Sequence, residues 1–402
     1  MSKIKSIEAR EILDSRGNPT IEVLLETKDE KVKSSVPSGA SKGEHEAHEL
    51  RDGGKRYNGR GVLKAIKNIN KVIAPKIIGK SVLGQEKIDK LMIDLDGTEN
   101  KSKLGANSIL GVSLAVCRAG AVSSKKPLYR YINSFFEESK ASIPQPCFNI
   151  INGGAHAGND LDFQEFMIVP SKRKIKDNIR EASEFYHNLK DKLKKNYSSS
   201  AINVGDEGGF APPLNNAEDA LKLISSIKKI DVILDVAAGE FLNEELYRLG
   251  IKSLKREDLV NYYFELINKY PIIGLEDPFG ENDYEGWKLL SSKNNSKILI
   301  IGDDLLATNP NKIKEAYQNG YCNAMILKLN QIGTVSESIE SAKLAKKYKW
   351  KIIVSHRSGE TNDDFIADFS VGINSNYIKS GAPARGERVA KYNRLMEIEE
   401  EI

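Results

Sequence analysis

Residues 272–276 read IIGLE, a short apolar run that stops at a carboxylate. The same arrangement recurs through the second half of the chain, where runs of strand length end at or just before a charged or imidazole side chain. These runs and side chains are 232–234 with Asp235, 272–275 with Glu276, 298–301 with Asp303, 324–327 with Lys328, 352–354 with His356, and 377–378 with Lys379. Successive chemical groups lie 23 to 41 residues apart, which leaves room for one helix in each interval. The pattern predicts a (β/α)8 barrel, because such barrels place catalytic groups at the carboxyl ends of successive parallel strands.

The chain before Pro146 has a different pattern. Residues 20–27 (TIEVLLET) are rich in β-branched and aliphatic side chains, and the RGNP cluster before them is typical of a turn. From Val62 onward apolar residues recur at helical spacing, and helical patterns continue over 85–95, 109–122 and 128–136. Strands followed by helices indicate a small α+β domain. We therefore expect an α/β protein with an α+β domain over residues 1–137 and a barrel domain over residues 138–402.

Composition excludes several classes of protein. Hydrophobic residues make up 40% of the 402 residues and charged residues 29%, as in an ordinary globular protein. The 60 basic and 56 acidic side chains are interspersed and give a net charge of +4. Since no block of basic residues stands out, we expect no nucleic-acid partner.

Cysteine usage and the chain start bear on location. Cys117, Cys147 and Cys322 are scattered and odd in number, so they do not indicate a disulfide framework. A reducing compartment follows from that usage. The first ten residues lack a signal-peptide core, and no apolar run approaches the ~18 residues that span a bilayer. We expect a cytoplasmic protein without a membrane span.

Three carboxylates at the strand ends favour a metal site. Asp235, Glu276 and Asp303 would converge at the mouth of the predicted barrel, and magnesium prefers oxygen ligands of this kind. The alternative is that each acid caps the helix that follows its strand. Three acids at the ends of three strands, followed along the chain by two lysines at the ends of later strands, favour the metal interpretation.

Lys328 and Lys379 end apolar strands, where a charge requires a partner. A free lysine has a pKa of about 10.4, whereas a general base works best at roughly 7–8. The difference is equivalent to about 4 kcal/mol. A second lysine and a bound divalent ion could supply it through repulsion of like charges. The alternative is a pair of structural lysines that bridge the barrel carboxylates.

Other motifs add polar groups to the predicted mouth. The glycines of residues 205–209 (GDEGG) would leave Glu207 facing a cavity, and Glu165 starts another apolar run. Arg357, with His356 and Ser358, offers the fork of donors that suits a phosphate. The glycine-rich stretches 37–43 and 152–158 are candidates for mobile lids, although such stretches also form ordinary turns.

Taken together, these motifs resemble the enolase family, the phosphopyruvate hydratases, over residues 4–400. The segments that carry the resemblance are DSRGNPT (14–20), PSGAS (37–41), LDGTENKSKLGAN (95–107), NIINGGAHAGND (149–160), QEFMI (164–168), VGDEGGFAP (204–212), LEDPF (275–279), GDDLLATNP (302–310), LKLNQIGT (327–334), VSHRSGETND (354–363) and IKSGAPARGERVAKYN (378–393). The resemblance implies a small N-terminal capping domain on an enolase-type barrel whose first strands depart from simple βα alternation. It also implies reversible dehydration of 2-phosphoglycerate to phosphoenolpyruvate through a magnesium-stabilised enediolate.

The resemblance further implies a role for each site residue. Two magnesium ions bind, the first to Asp235, Glu276 and Asp303, the second to substrate oxygens with help from Ser41. Lys328 is the base, Glu207 is the general acid, and Glu165 supports it. The remaining substrate-binding residues are Lys379 for the carboxylate, Arg357 and Ser358 for the phosphate, and His156, Gln164 and His356 around them.

Some positions depart from the family pattern, and other functions stay open. Lys42 stands where most members have threonine, and Glu397 stands where an arginine commonly pairs with Glu22 of a partner subunit. The family implies a homodimer or higher homo-oligomer, and Arg394 offers a replacement cation for the missing arginine.

A racemase or sugar-acid dehydratase of the wider superfamily would need a different base arrangement. A non-catalytic binding or structural role is disfavoured because every catalytic position is filled.

Overall fold

The computed structural model describes residues 2–40, 43–136, 141–295 and 297–402. Ser41 and Lys42, named above, lie outside the described residues, as do residues 137–140 at the expected boundary between the two domains.

The first part of the chain forms a three-stranded antiparallel sheet followed by helices, which confirms the expected order of elements. The strands are β1 (Ser6–Leu13), β2 (Pro19–Glu26) and β3 (Lys31–Ser35), in the order β1-β2-β3. The predicted turn before β2 is closed by Asp14, whose Oδ1 accepts the backbone N–H of Arg16 and Asn18 at 2.9 Å. The helices are α1 (Leu63–Asn68), α2 (Ala74–Ile77), α3 (Gln85–Asp96), α4 (Ala106–Ser123) and α5 (Leu128–Asn133).

The helical spacing after Val62 predicts one helix, and the structure interrupts it with a π turn. α1 and α2 are joined without a break by the π-helical residues Ile69–Ile73. Pro75 explains the interruption, because a proline ring clashes with the carbonyl four residues earlier in a regular α-helix. That carbonyl belongs to Lys71, inside the widened turn.

Helix α4 forms the core of this part of the fold. Of the helices in the described ranges, it is the one whose length and composition would allow it to cross a membrane, and 83% of it is buried inside the protein. It packs against β2, β3, α3 and α5. A helix that is apolar on all sides belongs in a core, and core packing explains its composition.

The second part of the chain contains the predicted barrel. Its strands are β4 (Gln145–Asn152), β5 (Glu165–Val169), β6 (Asp231–Asp235), β7 (Leu242–Asn243), β8 (Leu246–Leu249), β9 (Lys252–Leu254), β10 (Ile272–Glu276), β11 (Leu299–Gly302), β12 (Ala324–Leu327), β13 (Lys351–Ser355) and β14 (Tyr377–Lys379). The barrel closes in the order β10-β11-β12-β13-β14-β4-β5-β6, while β7, β8 and β9 form a small separate sheet. The helices are α6 (Ile175–Asn196), α7 (Ala217–Ser225), α8 (Arg256–Lys269), α9 (Tyr284–Asn294), α10 (Pro310–Asn319), α11 (Leu329–Ile332), α12 (Val335–Lys347), α13 (Phe365–Gly372) and α14 (Gly386–Glu401).

One barrel strand runs against the others, as the resemblance implied for the first strands. β5 is antiparallel to both β4 and β6, whereas the remaining neighbours pair in parallel. Because its direction is reversed, its first residue lies at the same mouth as the carboxyl ends of its neighbours. Glu165 is therefore paired in register with Asp235.

Residues 202–204, which precede the GDEGG segment, do not form a barrel strand. Residues Ser199–Ile202 form a 3-10 turn, and Val204 makes one isolated bridge to Phe210. The glycine-rich segment that follows is thus a loop over the barrel mouth, which still leaves Glu207 in the predicted place.

A buried polar cluster joins the two parts of the chain at the start of α12. Asp89 of α3 accepts hydrogen bonds from Gln85 Nε2 at 3.0 and 3.1 Å, and from the backbone N–H of Ser336 at 3.0 Å. Ser113 of α4 accepts the N–H of Val335 at 2.9 Å. The first backbone donors of a helix have no partner within that helix, so side chains of the N-terminal helices satisfy the start of a barrel helix.

Replacing Asp89 tests this junction. Asp89→Ala removes the acceptor of Gln85 and of the Ser336 N–H, and unpaired buried donors lower the free energy of unfolding by about 1–3 kcal/mol. Denaturant unfolding followed by circular dichroism measures the change. Asp94→Ala is the matched control, because Asp94 lies on the same helix in an exposed pair with Lys90 and should change stability by about 0.5 kcal/mol or less. Equal effects of the two substitutions would contradict the assignment.

Candidate active site

A cavity of about 230 Å³ opens at the carboxyl ends of the barrel strands, where the sequence predicted a site. Ala40, Gly43 and Glu46 of the N-terminal part contribute to its wall. Of the twelve predicted site residues that the structure describes, eleven line the cavity: His156, Gln164, Glu165, Glu207, Asp235, Asp303, Lys328, His356, Arg357, Ser358 and Lys379. Glu276 lies beside them through its contact with Lys379. The predicted residues are thus brought together, apart from Ser41, which lies outside the described residues.

Lys379, at the end of β14, lies among three buried carboxylates. Its Nζ is 2.7 and 2.8 Å from the two oxygens of Glu276, and 3.4 Å from both Glu165 Oε1 and Asp235 Oδ2. Burial alone would lower the pKa of Lys379, but the charges of Glu165, Glu276 and Asp235 raise it well above the usual range. The ammonium is therefore charged and supplies one positive charge to these three carboxyl groups.

Lys328, at the end of β12, is paired with Asp303. Its Nζ donates to Asp303 Oδ2, and Gln331 Nε2 donates to Asp303 Oδ1 at 3.0 Å. Burial lowers the pKa of Lys328, but the Asp303 carboxylate outweighs burial and raises it. The sequence analysis expected a lowered pKa of Lys328 on the condition that a divalent ion is bound nearby. Without such an ion, the ion pair with Asp303 raises the pKa of Lys328 instead. A base role for Lys328 would therefore call for another positive charge beside Asp303 to weaken this ion pair.

The cavity wall carries far more acid than base. Nine acidic side chains line it, against the three cations Lys328, Arg357 and Lys379. The carboxylate oxygens of Asp277, Asp303 and Asp304 lie within 4.8 Å of one another, as do ligand atoms of His156, Glu165 and Glu207. Burial, followed by the charge of Asp303, raises the pKa of Asp304 to about 7. This excess of buried oxygen donors fits divalent cations, which prefer such ligands.

Two acids that the sequence reasoning passed over shape this region. Asp277 accepts the backbone N–H of Asp303 at 2.8 Å through Oδ1 and that of Asp304 at 2.9 Å through Oδ2. It therefore fixes the loop that follows β11. Asp277 and Asp304 each follow a predicted ligand directly, in LEDPF and GDDLL. These adjacent pairs of acids are the sequence signal that could have identified them.

Glu207 forms a carboxyl pair with Glu165. Asn149 Nδ2 donates to Glu207 Oε2 at 2.9 Å. Burial and the nearby Glu207 raise the pKa of Glu165 well above its usual range. Burial also acts to raise the pKa of Glu207, but neighbouring His156, His356 and Arg388 lower it well below the usual range. Because two buried carboxyls this close do not readily ionise together, the raised pKa of Glu165 makes it the member of the pair that holds a proton more readily.

Arg357 follows β13 and is held by the N-terminal part of the chain. Its Nη1 and Nη2 lie 3.0 and 3.2 Å from the two oxygens of Glu46. Both side chains of the pair are less than 10% exposed. A Cβ on Gly39 would stand 1.8 Å from Arg357 Nη2, so any larger residue at that position would have to displace the guanidinium. Glu46 is a third residue that sequence reasoning missed, since nothing in its neighbourhood marks a contact with Arg357.

Several buried polar atoms at the cavity have no hydrogen-bond partner among the described residues. They are Glu165 Oε2, His156 Nδ1, His356 Nε2 and Ser358 Oγ. His156 Nδ1 and His356 Nε2 each lie 3.4 Å from Glu207 Oε1, without the alignment of a hydrogen bond. Because buried polar groups are nearly always paired, these atoms indicate that the cavity receives a polar ligand.

Two family models match the chain. One, described as "Enolase, C-terminal TIM barrel domain", matches residues 140–402, and the other, described as "Enolase, N-terminal domain", matches residues 4–132. The chain belongs to the enolase family.

Curated enolases are similar to the chain over its whole length. The enolase of Thermococcus gammatolerans is 51% identical and covers 100% of this chain and 95% of its own length. The enolase of Mastigamoeba balamuthi is 52% identical, over 100% and 96%, and enolase B of Dictyostelium discoideum is 53% identical, over 99% and 95%. The chain is thus an enolase enzyme, a hydro-lyase. Family membership implies a glycolytic function, 2-phosphoglycerate and phosphoenolpyruvate as substrates, and a divalent metal.

Replacing Lys379 tests whether its ammonium and a metal ion neutralise the same carboxylates of the enolase. Lys379→Met leaves buried carboxylates without a cation, which destabilises proteins by about 3–5 kcal/mol, so the melting temperature in a chelator should fall. Added magnesium should raise that temperature by more than it does for the unmodified enolase, because binding to the folded state stabilises it. Lys222→Met, at an exposed lysine of α7, is the control. An unchanged melting temperature of Lys379→Met in chelator would refute the electrostatic assignment.

Proposed function

We propose that the chain catalyses the reversible dehydration of 2-phosphoglycerate to phosphoenolpyruvate in glycolysis and gluconeogenesis, with Lys328 as base and Glu207 as general acid. The placement of these groups carries the proposal. β12 and β5 are separated by three strands in either direction around the barrel. Lys328 therefore faces the Glu165–Glu207 pair across the cavity. Removal of a proton from one carbon and a hydroxyl from the next requires a base and an acid at two separate points of one substrate.

We propose magnesium as the metal, with two ions per site. Asp235, Glu276 and Asp303 would hold the first, and Ser41 with substrate oxygens the second. When bound, such ions stabilise the negative charge that develops on the substrate carboxylate as the adjacent proton leaves. Once Asp303 is neutralised in this way, burial and the charge of Lys379 act to lower the pKa of Lys328, as a base requires.

The acid is supplied by the paired carboxyls. The proton that Glu165 and Glu207 share is available to the departing hydroxyl, and Asn149 holds Glu207 in position. His156, His356 and Gln164 complete the wall around the pair. Two interacting carboxyl groups titrate as a pair rather than one by one. Glu165 therefore supports Glu207 by holding the proton that Glu207 delivers.

The substrate's two anionic ends find separate partners. We propose that Lys379 binds the carboxylate and that Arg357 and Ser358 bind the phosphate. Glu46 keeps the Arg357 guanidinium oriented, and Ser358 Oγ is unpaired among the described residues. A planar guanidinium binds phosphate through two donors at once, which suits the larger anion.

We propose the remaining assignments on indirect support. The boundary between a capping domain of residues 1–137 and a barrel domain of residues 138–402 is supported by family models that end at 132 and begin at 140. A cytoplasmic location is supported by three free, buried cysteines, since burial raises the pKa of each thiol and structural disulfides are absent from the described residues.

Substitutions at the two proton-transfer groups test the mechanism. Lys328→Ala should abolish exchange of the substrate's C2 proton with solvent deuterium, because the base is gone. Glu207→Gln should stop formation of phosphoenolpyruvate, followed by ultraviolet absorbance, yet retain part of the exchange. Each loss should reach roughly 10²–10⁴-fold, the usual contribution of a positioned acid or base.

The matched control is Lys312→Ala, at a lysine on α10 that pairs with Glu315 outside the cavity, and it should keep both activities. Exchange by Lys328→Ala at the unmodified rate would show that another group is the base.

We also propose that the chain forms a homodimer. Glu22 and Glu397, the two acids expected to face each other, are already paired within the chain. Glu22 accepts from Arg10 Nε at 2.7 Å, and Glu397 accepts from Arg394 Nη1 at 3.0 Å. Arg394 is thus close to Glu397 as expected, but it also binds Asp368 at 2.8 and 2.9 Å. The repulsion between the two acids is reduced by these local cations, so apolar burial at about 25 cal/mol per Å² decides assembly.

Light scattering coupled to gel filtration tests the dimer. We expect a dimer mass at micromolar concentration. Glu397→Arg should strengthen the dimer modestly at low salt, since exposed pairs contribute about 0–1 kcal/mol. Glu401→Arg, at the end of the same helix, is the charge-matched control. A monomer mass for the unmodified chain would overturn the proposal.

A further inference from the structure

Arg388 of α14 is fully buried beneath the two loops that carry Glu207 and Arg357. Its guanidinium donates to three backbone carbonyls: to Arg357 O at 2.7 Å, to Ser358 O at 2.6 Å and to Asp206 O at 3.0 Å. Its Nη1 also lies 2.6 Å from Nδ1 of His356. One side chain therefore ties residues 206, 357 and 358 together and contacts the imidazole between them.

The contact with His356 decides which ring nitrogen carries the proton. A guanidinium has five donors and no acceptor, and it stays charged in proteins. Nδ1 of His356 must therefore accept, so that the ring proton lies on Nε2. That nitrogen points toward Glu207 Oε1 at 3.4 Å. A second proton on Nδ1 would face the Arg388 donor at hydrogen-bond distance, which excludes the imidazolium form while Arg388 is in place.

The cations around His356 also disfavour a protonated ring, and one acid opposes them. Arg388 faces it from α14, Lys379 from β14 and Lys328 from β12, while Arg357 is its neighbour along the chain. Glu207, from the loop before α7, is the opposing acid. Burial lowers the pKa of His356 well below its usual range; the charge of Glu207 acts to raise it, and the charges of Arg388, Lys379 and Lys328 act to lower it.

We infer that Arg388 is a positioning residue that holds His356 in its uncharged, Nε2-protonated form and so sets the charge beside Glu207. The inference rests on the proposed role of Glu207. A proton donor must be able to carry its proton, and an imidazolium at this distance would favour the ionised carboxylate. A neutral ring that presents only an N–H lowers the pKa of Glu207 less than an imidazolium would, which favours retention of the proton by the carboxyl pair.

Nitrogen NMR of the histidine rings tests the inference without any activity measurement. The chain has five histidines, and the His356 signals are identified by their loss in His356→Gln. In the unmodified protein labelled with ¹⁵N-histidine, His356 should show an unprotonated Nδ1 and a protonated Nε2 throughout the neutral range. A protonated Nδ1 in this spectrum overturns the inference, and this observation needs no variant of Arg388.

Substitution of Arg388 provides a second test of the inference. Arg388→Met, checked for folding by circular dichroism, should let His356 titrate, with a mixture of tautomers. The acid limb of the kcat profile should move up by about one pH unit, the size of effect that a neighbouring charge produces, with a smaller change in KM. Arg388→Lys keeps a charged donor and should restore the neutral ring. If folded Arg388→Met keeps the ring spectrum of the unmodified protein, the inference is wrong.

Arg385→Met is the matched control. Arg385 precedes the same helix and contacts Gly205 O at 3.4 Å and Ser15 O at 3.3 Å, so its loss disturbs the loop that carries Glu207 and removes a partly buried cation without removing the contact to His356. It should leave the ring spectrum and the acid limb unchanged. Failure of the proposed reaction would appear as absent phosphoenolpyruvate formation with the NMR result intact, which separates the two proposals.

Discussion

The buried carboxylates at the mouth of the barrel need positive charge close to them, and the rest of the site is arranged around this need. An ion moved from water into a protein interior loses several kcal/mol of solvation free energy, and attraction to an ion of opposite charge is needed to offset that loss. Asp235 and Glu276 obtain their partner from Lys379, and Asp303 obtains its partner from Lys328. With Arg357, the cavity wall has three single positive charges, which cannot balance nine acids even when some of those acids are protonated. The remaining deficit of positive charge is what makes the site suitable for divalent cations.

The barrel architecture makes such a concentration of charge possible. The interior side chains of the strands are apolar and tightly packed, among them Met167, Ile233, Ile301 and Ile326. Charged residues can therefore enter the barrel only where a strand ends. The reversed direction of β5 adds to this effect, because it brings Glu165 to the mouth at the start of a strand instead of its end. In that position Glu165 reaches both Lys379 and Glu207, and so joins the metal-suited acids to the proposed proton donor.

Much of this could be predicted because the signals are local. Each apolar run that stops at Asp235, Glu276 or Lys328 carries its own information about strand and site, and the structure confirms the barrel that they imply. The direction of β5 could not be read in this way, since a five-residue apolar strand looks the same in either direction. The raised pKa of Lys328 also escaped prediction, because it depends on contact with Asp303 rather than on any pattern along the chain.

Contacts between distant parts of the chain were the main omission. Glu46 and Arg357 are separated by 311 positions, yet they form one ion pair. The same Glu46 carboxylate accepts from Gln331 Nε2 at 3.1 Å, and that amide also donates to Asp303 at 3.0 Å. A single carboxylate of the N-terminal part thus orients both the arginine suited to phosphate and, through Gln331, an acid suited to metal. A barrel without this part would leave the Arg357 guanidinium without its carboxylate, so the N-terminal part belongs to the site and does more than cover it.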